Sequence, residues 1–252
     1  MTLGRINTYN PKHKGSFPIS RSKIDLFLEC PRCFYLDRRV GIQRPPQFPY
    51  TLNSAVDILL KKEFDIHRAK NTQHPLMKKY GIAAVPFSNN NLNEWRENFV
   101  GIRHTHKPTN LIIFGAVDDI WINREQELMV VDYKSTSINE NITTLNKAWH
   151  DGYKRQLEVY QWLLKQNNYK VSKTGFFVYC NGKKDSAAFD GKLEFDLTII
   201  PYIGDDTWIE KTLIDIKKCL DSIVPPKPRD DCRYCYYVDK IEHMAPPNLS
   251  MQ

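Results

Sequence analysis

Leu128-Met129-Val130-Val131-Asp132-Tyr133-Lys134-Ser135 is an apolar run that closes on an acid, one intervening residue and a lysine. Its paired valines favour a β-strand, and in a strand residues two apart face the same side, so Asp132 and Lys134 project together from its end. A carboxylate in that position can hold a Mg²⁺ or Mn²⁺ ion, while the ammonium orients water or stabilises charge developing on a phosphate. Asp-x-Lys also occurs at ordinary exposed strand ends, so its meaning depends on what lies beside it.

Immediately upstream, a strand-like run from about 110 to 123 passes through Gly115-Ala116-Val117-Asp118 and can form a hairpin with the strand carrying Asp132. Two carboxylates on adjacent strands can share one hard cation, whereas a buried acid pair without one repels. Downstream, the spacing predicts a helix over 151–166, on which Gln156 and Tyr160 are four apart and share a face beside Leu157, Leu163 and Leu164. Lys147, His150, Lys154 and Arg155 lie just before that face and are candidates for phosphate contacts.

Farther out, strands are predicted at 127–134 and 175–180, and the alternation of Leu193, Phe195, Leu197 and Ile199 predicts another with one buried face. A helix is expected over 206–221. On the N-terminal side, a polar arm (1–19) precedes Ser20, a candidate N-cap. The run Ile24, Phe27, Leu28, Tyr35, Leu36 then has helical spacing, divided by Pro31 into two short helices. The proline-rich stretch Arg44 to Pro49 ends that element. Ala55, Val56, Leu59, Leu60 and Phe64 predict an amphipathic helix over 52–66, which carries Asp57 and Glu63. Within 67–108, Asn89 to Asn91 mark a turn, and Trp95 and Phe99 hint at a short helix or a strand. Pro225 to Pro228 form a rigid linker that delivers Cys232 and Cys235 to their docking place. Without internal repeats or long low-complexity tracts, residues 20–252 read as one domain with its terminal segments wrapped together.

Composition agrees with a globular chain of 252 residues, 41% hydrophobic and 12% aromatic. Thirty-six lysines and arginines against 29 acids give a formal charge of +7 and a pI near 9.0, which favours polyanionic partners. The polar start, Met1 to Ser16, has no apolar core of a signal peptide, and no run of about 18 apolar residues exists, so the expectation is a cytoplasmic protein with no membrane partner. In such a compartment the six cysteines are thiols whose spacing points to metal. Cys30-x-x-Cys33 and Cys232-x-x-Cys235 are two such pairs, and their wide separation suggests a clasp joining the chain ends. Cys180 and Cys219 read as small core residues. The seven histidines show no paired metal spacing.

Three of these segments, in order, resemble the RecB-like branch of the PD-(D/E)XK nuclease superfamily: Gly115 to Asp118, Asp132 to Lys134, and Gln156 to Tyr160. The N-terminal Cys-Pro-Arg with Phe34 and Tyr35 extends the resemblance over about 20–235. It implies a restriction-endonuclease-like α/β core with a central mixed sheet flanked by helices and a two-strand acid hairpin at its active edge. It further implies metal-dependent hydrolysis of phosphodiesters in DNA, as an exonuclease acting on ends or single strands, in repair, recombination or defence. Asp118, Asp132, the main-chain carbonyl of Tyr133 and Asp57 would hold Mg²⁺ or Mn²⁺. Lys134 would assist water attack, and Gln156 and Tyr160 would contact substrate or buttress Lys134. Asp57 stands where this family has a histidine or glutamate, with Glu63 in reserve. In nucleases such as AddB and the CRISPR-associated RecB-like exonucleases the terminal cysteines hold a [4Fe-4S] cluster. Here the usual last cysteine is lacking, Cys33 would complete a two-plus-two set, and Zn²⁺ would be accepted equally well. The alternative is a nucleic-acid-binding protein of the same fold without turnover, or a subunit that cuts only with a helicase or recombination partner, since no nucleotide-binding loop is present.

Overall fold

The structure, a computed structural model, describes residues 7–46, 50–140 and 142–244. The first six residues of the predicted arm, the end of the proline-rich stretch and the last eight residues of the predicted domain lie outside them.

The strand that decides the fold, β6, spans Leu128–Thr136. It sits at the centre of a five-stranded sheet ordered β2-β5-β6-β7-β8, with β2 at Ala84–Pro86, β5 at Asp119–Asn123, β7 at Thr174–Gly182 and β8 at Phe195–Ile203. Strand β6 is antiparallel to β5 and parallel to β7. Parallel neighbours need a crossover, and helix α6 (Asp151–Gln166) supplies it as the middle of a β-α-β unit. The acid hairpin β5-β6 therefore lies inside the sheet rather than at its edge, because α6 returns the chain to add β7 and β8 beyond it.

Burial on both faces explains the near-continuous apolar character of β6. Leu128 and Val130 face a core shared with Leu157 and Leu163 of α6, and Val131 and Tyr133 face a second core shared with Leu60 and Phe64 of α3 (Thr51–Ala69). Asp132 and Lys134, in phase with Val130, consequently face α6.

The run at 110–123, expected as one strand, is two strands in different sheets. Strand β4 (Leu111–Gly115) pairs with β1 (Phe17–Ser20) and β3 (Ile102–His106) in a separate three-stranded mixed sheet, and β5 begins only at Asp119. The chain passes between sheets at residues 116–118, where the Val117 amide donates to the Trp95 carbonyl at 3.0 Å. The end of the predicted polar arm is thus a strand, because Phe17 and Ile19 are buried against β4.

The N-terminal helical run is divided at Cys30–Pro31 into α1 (Arg21–Glu29) and α2 (Pro31–Tyr35), and a π-helical turn, Leu36–Val40, continues α2. Ser20 occupies the N-cap position, although its hydroxyl contacts Ser22 rather than capping an amide. Between α3 and β4 lie α4 (Pro75–Lys79), β2, α5 (Leu92–Arg96) and β3, all of five residues or fewer. Trp95 lies in α5. The apolar stripe of α7 (Trp208–Asp221) packs Ile209, Leu213, Ile216 and Leu220 into the first core, and the tail ends in α8 (Arg233–Met244). No helix among the described residues is long and apolar enough to cross a membrane.

Candidate active site and cysteine centre

The hairpin register pairs Asp119 with Val131, so one step earlier it sets Asp118 across from Asp132. Asp118 Oδ2 accepts the Tyr133 amide at 2.9 Å, which ties the first acid to the strand carrying the second. Asp132 is fully buried. Its Oδ2 touches the Lys134 ammonium, yet neither oxygen receives a well-directed hydrogen bond. Burial raises its carboxyl to about 7, with Lys134 opposing the rise and Asp118 adding to it. Lys134 shifts upward: burial favours the neutral amine, but Asp132 and Asp118 outweigh it, and the group stays cationic. Its ammonium also lies 4.6 Å from the Tyr153 ring centre.

Helix α6 closes over this pair through its i, i+4 face. Lys134 donates to Gln156 Oε1 at 3.4 Å, and Gln156 Nε2 donates to the Tyr160 hydroxyl at 3.2 Å. The Tyr160 ring then lies on Gly115, where an added Cβ would stand 2.6 Å from Cε1 of the ring. Glycine at 115 is required by that close approach. The three segments singled out in the sequence thereby meet at one place.

Asp57 reaches this cluster from α3 through Lys61, whose Nζ lies 2.8 Å from Asp57 Oδ2 and 3.5 Å from Asp118 Oδ1. Burial and the nearby Asp118 raise the Asp57 carboxyl. Glu63 turns elsewhere, to His74 Nε2 at 2.8 Å, and makes no bond to these acids. The two lysines lie among the carboxylates, and among the described residues only the four cysteines form a group of three or more ligand donors within 4.8 Å of one another. The donor chemistry at the acids, carboxylate oxygens with two buried and undirected ones on Asp132, fits a hard divalent cation.

Several contributors were not singled out in the sequence. Lys61 is one. Asp119 is another: fully buried, it takes Arg68, Arg96 and the Tyr133 hydroxyl, the last at 2.8 Å, and braces the back of the hairpin. Arg21, at the start of α1, has its field on Asp132, Lys134 and Tyr160 and lines a groove with Lys23, Arg38, Phe99 and Tyr160. Only its place directly after the Ser20 N-cap marked it. Three of the predicted phosphate contacts are ion-paired within the protein: Lys147 to Glu140, Lys154 to Asp151 and Arg155 to Asp25. The fourth, His150, is buried, with Nδ1 accepting the Lys147 amide at 3.2 Å.

The profile of the PD-(D/E)XK nuclease superfamily matches residues 60–239, more than two thirds of the chain. The chain belongs to the PD-(D/E)XK nuclease superfamily. Its members are typically metal-dependent nucleases, and the observed mixed sheet between helices is the architecture expected of that superfamily. No curated protein matches. The crystal structure of SSO0001 is 16% identical over 96% of this chain and 90% of that one at a TM-score of 0.37, a likeness too low to carry anything further.

Away from the acids, this PD-(D/E)XK chain gathers Cys30, Cys33, Cys232 and Cys235. Sulfur separations are 3.6 Å for Cys33–Cys232 and Cys33–Cys235 and 3.8 Å for Cys30–Cys235. Each CxxC straddles a helix start: Cys30 is the N-cap of α2, and Cys232 directly precedes α8. Burial pushes the Cys30 thiol up, but the Cys33 and Arg229 backbone and the neighbouring thiols outweigh it and bring it down to about 7, whereas burial raises the Cys33 and Cys235 thiols. Arg44 donates to Cys232 Sγ at 3.9 Å while lying 4.5 Å from the Tyr234 ring centre, so a cation lines the cluster. Cys180 is buried within β7. Cys219 in α7 points at the Pro31 carbonyl, and both stand apart from the four.

Proposed function

We propose that this chain is a Mg²⁺- or Mn²⁺-dependent deoxyribonuclease of the RecB-like branch, an exonuclease acting on DNA ends or single strands. The observation that carries the proposal is the convergence of Asp118, Asp132, Lys134, Gln156 and Tyr160 from three chain segments on one point. Asp118, Asp132, the Tyr133 carbonyl and Asp57 would hold the cation. When bound, the cation supplies charge neutralisation at the scissile phosphate and a more acidic water. Lys134, held cationic by its acids, orients the attacking water and stabilises the negative charge that grows on the phosphate. Gln156 fixes the Lys134 ammonium, and Tyr160 fixes Gln156. Arg21 in the adjacent groove offers charge to the DNA backbone, in keeping with the basic balance of the chain. We place the activity in DNA repair, recombination or defence, in the cytoplasm, within one domain that takes in β1 as well as the residues from 20 onward.

Cleavage of end-labelled single- and double-stranded DNA with Mg²⁺ or Mn²⁺ tests this, comparing the native chain with Asp132→Ala and Lys134→Ala. Metal-dependent cutting that disappears in both variants is expected; no cutting by well-folded native chain would refute it.

One observation favours a second reading, a DNA-binding chain that lacks turnover or needs a helicase or recombination partner. Lys61 sets an ammonium between Asp57 and Asp118, in competition with a bound cation. If that reading holds, Lys61→Met gains cutting that the native chain lacks, or cutting emerges only with the partner.

A further inference from the structure

The resemblance implies a [4Fe-4S] cluster at the cysteine centre, and the sulfur positions do not fit one. We propose that Cys30, Cys33, Cys232 and Cys235 hold a single tetrahedral Zn²⁺. Thiolates around one zinc, with bonds of about 2.3 Å, form a tetrahedron whose edges are about 3.8 Å. Three of the six sulfur pairs, at 3.6, 3.6 and 3.8 Å, match those edges, and the other three lie within 4.8 Å. An iron–sulfur cube demands more room. Each thiolate there binds its own iron, and each bond points outward from a different corner, so the four sulfurs stand well beyond the spacing that one central ion imposes. The space enclosed by this sulfur set holds one ion.

The local backbone points the same way. Both CxxC pairs sit at helix starts, so each pair offers two sulfurs from one turn to the same centre. The Arg44 guanidinium, donating to Cys232 Sγ at 3.9 Å, sets a positive charge beside the sulfur set. With four protein sulfurs and no position for water or substrate, the centre has the closed form of a structural zinc site. Its occupant is independent of the nuclease reading: the acids lie elsewhere, and either proposal can fail while the other stands.

Metal and acid-labile sulfide would be measured on the full chain, purified anaerobically from cells supplied with both zinc and iron. The expected result is a colourless protein with one zinc per chain and no sulfide. Exchange into Co²⁺ should give the intense visible bands of tetrahedral thiolate coordination, and Cys33→Ser should lose them. Iron and sulfide in equal, multiple amounts per chain would overturn the proposal. So would a brown species from anaerobic iron and sulfide reconstitution that melts higher than the zinc form, or a folded chain with no bound metal.

Discussion

The acid cluster and the cysteine centre solve opposite problems. The acid cluster draws its groups together by short-range regularities: hairpin register for Asp118 and Asp132, strand alternation for Lys134, one helical turn for Gln156 and Tyr160. The fold positions the site, and the site burdens the fold, since a buried carboxylate with undirected oxygens costs stability. The cysteine centre joins residues about 200 apart, at the two sides of α1, α2 and the tail, and with metal it holds those segments in place. Chemistry should therefore separate from stability when the two are changed in turn.

The sharpest break is at Asp132. Asp132→Asn should lower DNA cutting by about a thousandfold or more, roughly 4 kcal/mol of barrier, while its melting temperature stays close to that of the native chain. Cys235→Ser should do the reverse, lowering the melting temperature before it affects the chemistry of the remaining folded molecules. Equal thermal loss in both would mean that the acids are structural. The same contrast is available between two adjacent acids. Asp119→Asn removes the anion that Arg68 and Arg96 share and should cost about 3–5 kcal/mol in denaturant unfolding. Asp118→Asn, one residue away, should spare stability and abolish cutting.

That last pair shows where the sequence is readable and where it is not. Helices α3 and α6 carry a clean period of 3.6 and β6 is a short apolar run ending on Asp132, so the existence of these elements, and the faces shared by Asp132 with Lys134 and by Gln156 with Tyr160, follow from spacing, although α3 runs three residues beyond its expected end. The break at 116–118 does not, because β4 and β5 are both apolar and only the packing of Tyr160 on Gly115, with the pairing of each half to a different sheet, divides them. Nor do the elements between 67 and 108, which have five residues or fewer and take their form from distant partners such as β5 for β2. Asp119 differs from Asp118 by one step of strand phase, which decides whether an acid meets arginines behind the hairpin or the lysine before it. Lys61, four residues after Asp57, resembles any solvated helix pair until Asp118 arrives from the hairpin. Two CxxC pairs read in the sequence as a metal centre, but only the sulfur separations bear on how many ions it would hold.

A smaller effect tests how the motifs depend on each other. Gly115→Ala drives a Cβ into the Tyr160 ring and should cost about 1–3 kcal/mol. Its cutting should fall further than stability predicts, because displaced Tyr160 releases Gln156 and with it Lys134. Tyr160→Leu in the same chain should recover part of the stability but none of the rate. Recovery of both would show that Tyr160 has no part in positioning Lys134.

The weakest expected effect is a dependence on pH. Burial would raise the Asp65 carboxyl, but Arg68 and Arg96, the latter at 2.9 Å to both oxygens, outweigh it and hold it below the usual carboxylate range. A depressed folded value means that the stabilisation is complete above the unfolded value of about 3.9 and is lost as pH falls through the folded one. Because Asp65 is part-exposed, the gain is small and screened by salt. Asp65→Asn should flatten the acid limb of unfolding below about pH 4 and leave cutting at neutral pH unchanged. The two arginines that Asp65 steadies also hold Asp119, so a loss of cutting at neutral pH in this variant would mean that the brace behind the hairpin sets the position of Asp118 as well as the stability of the strand that carries it.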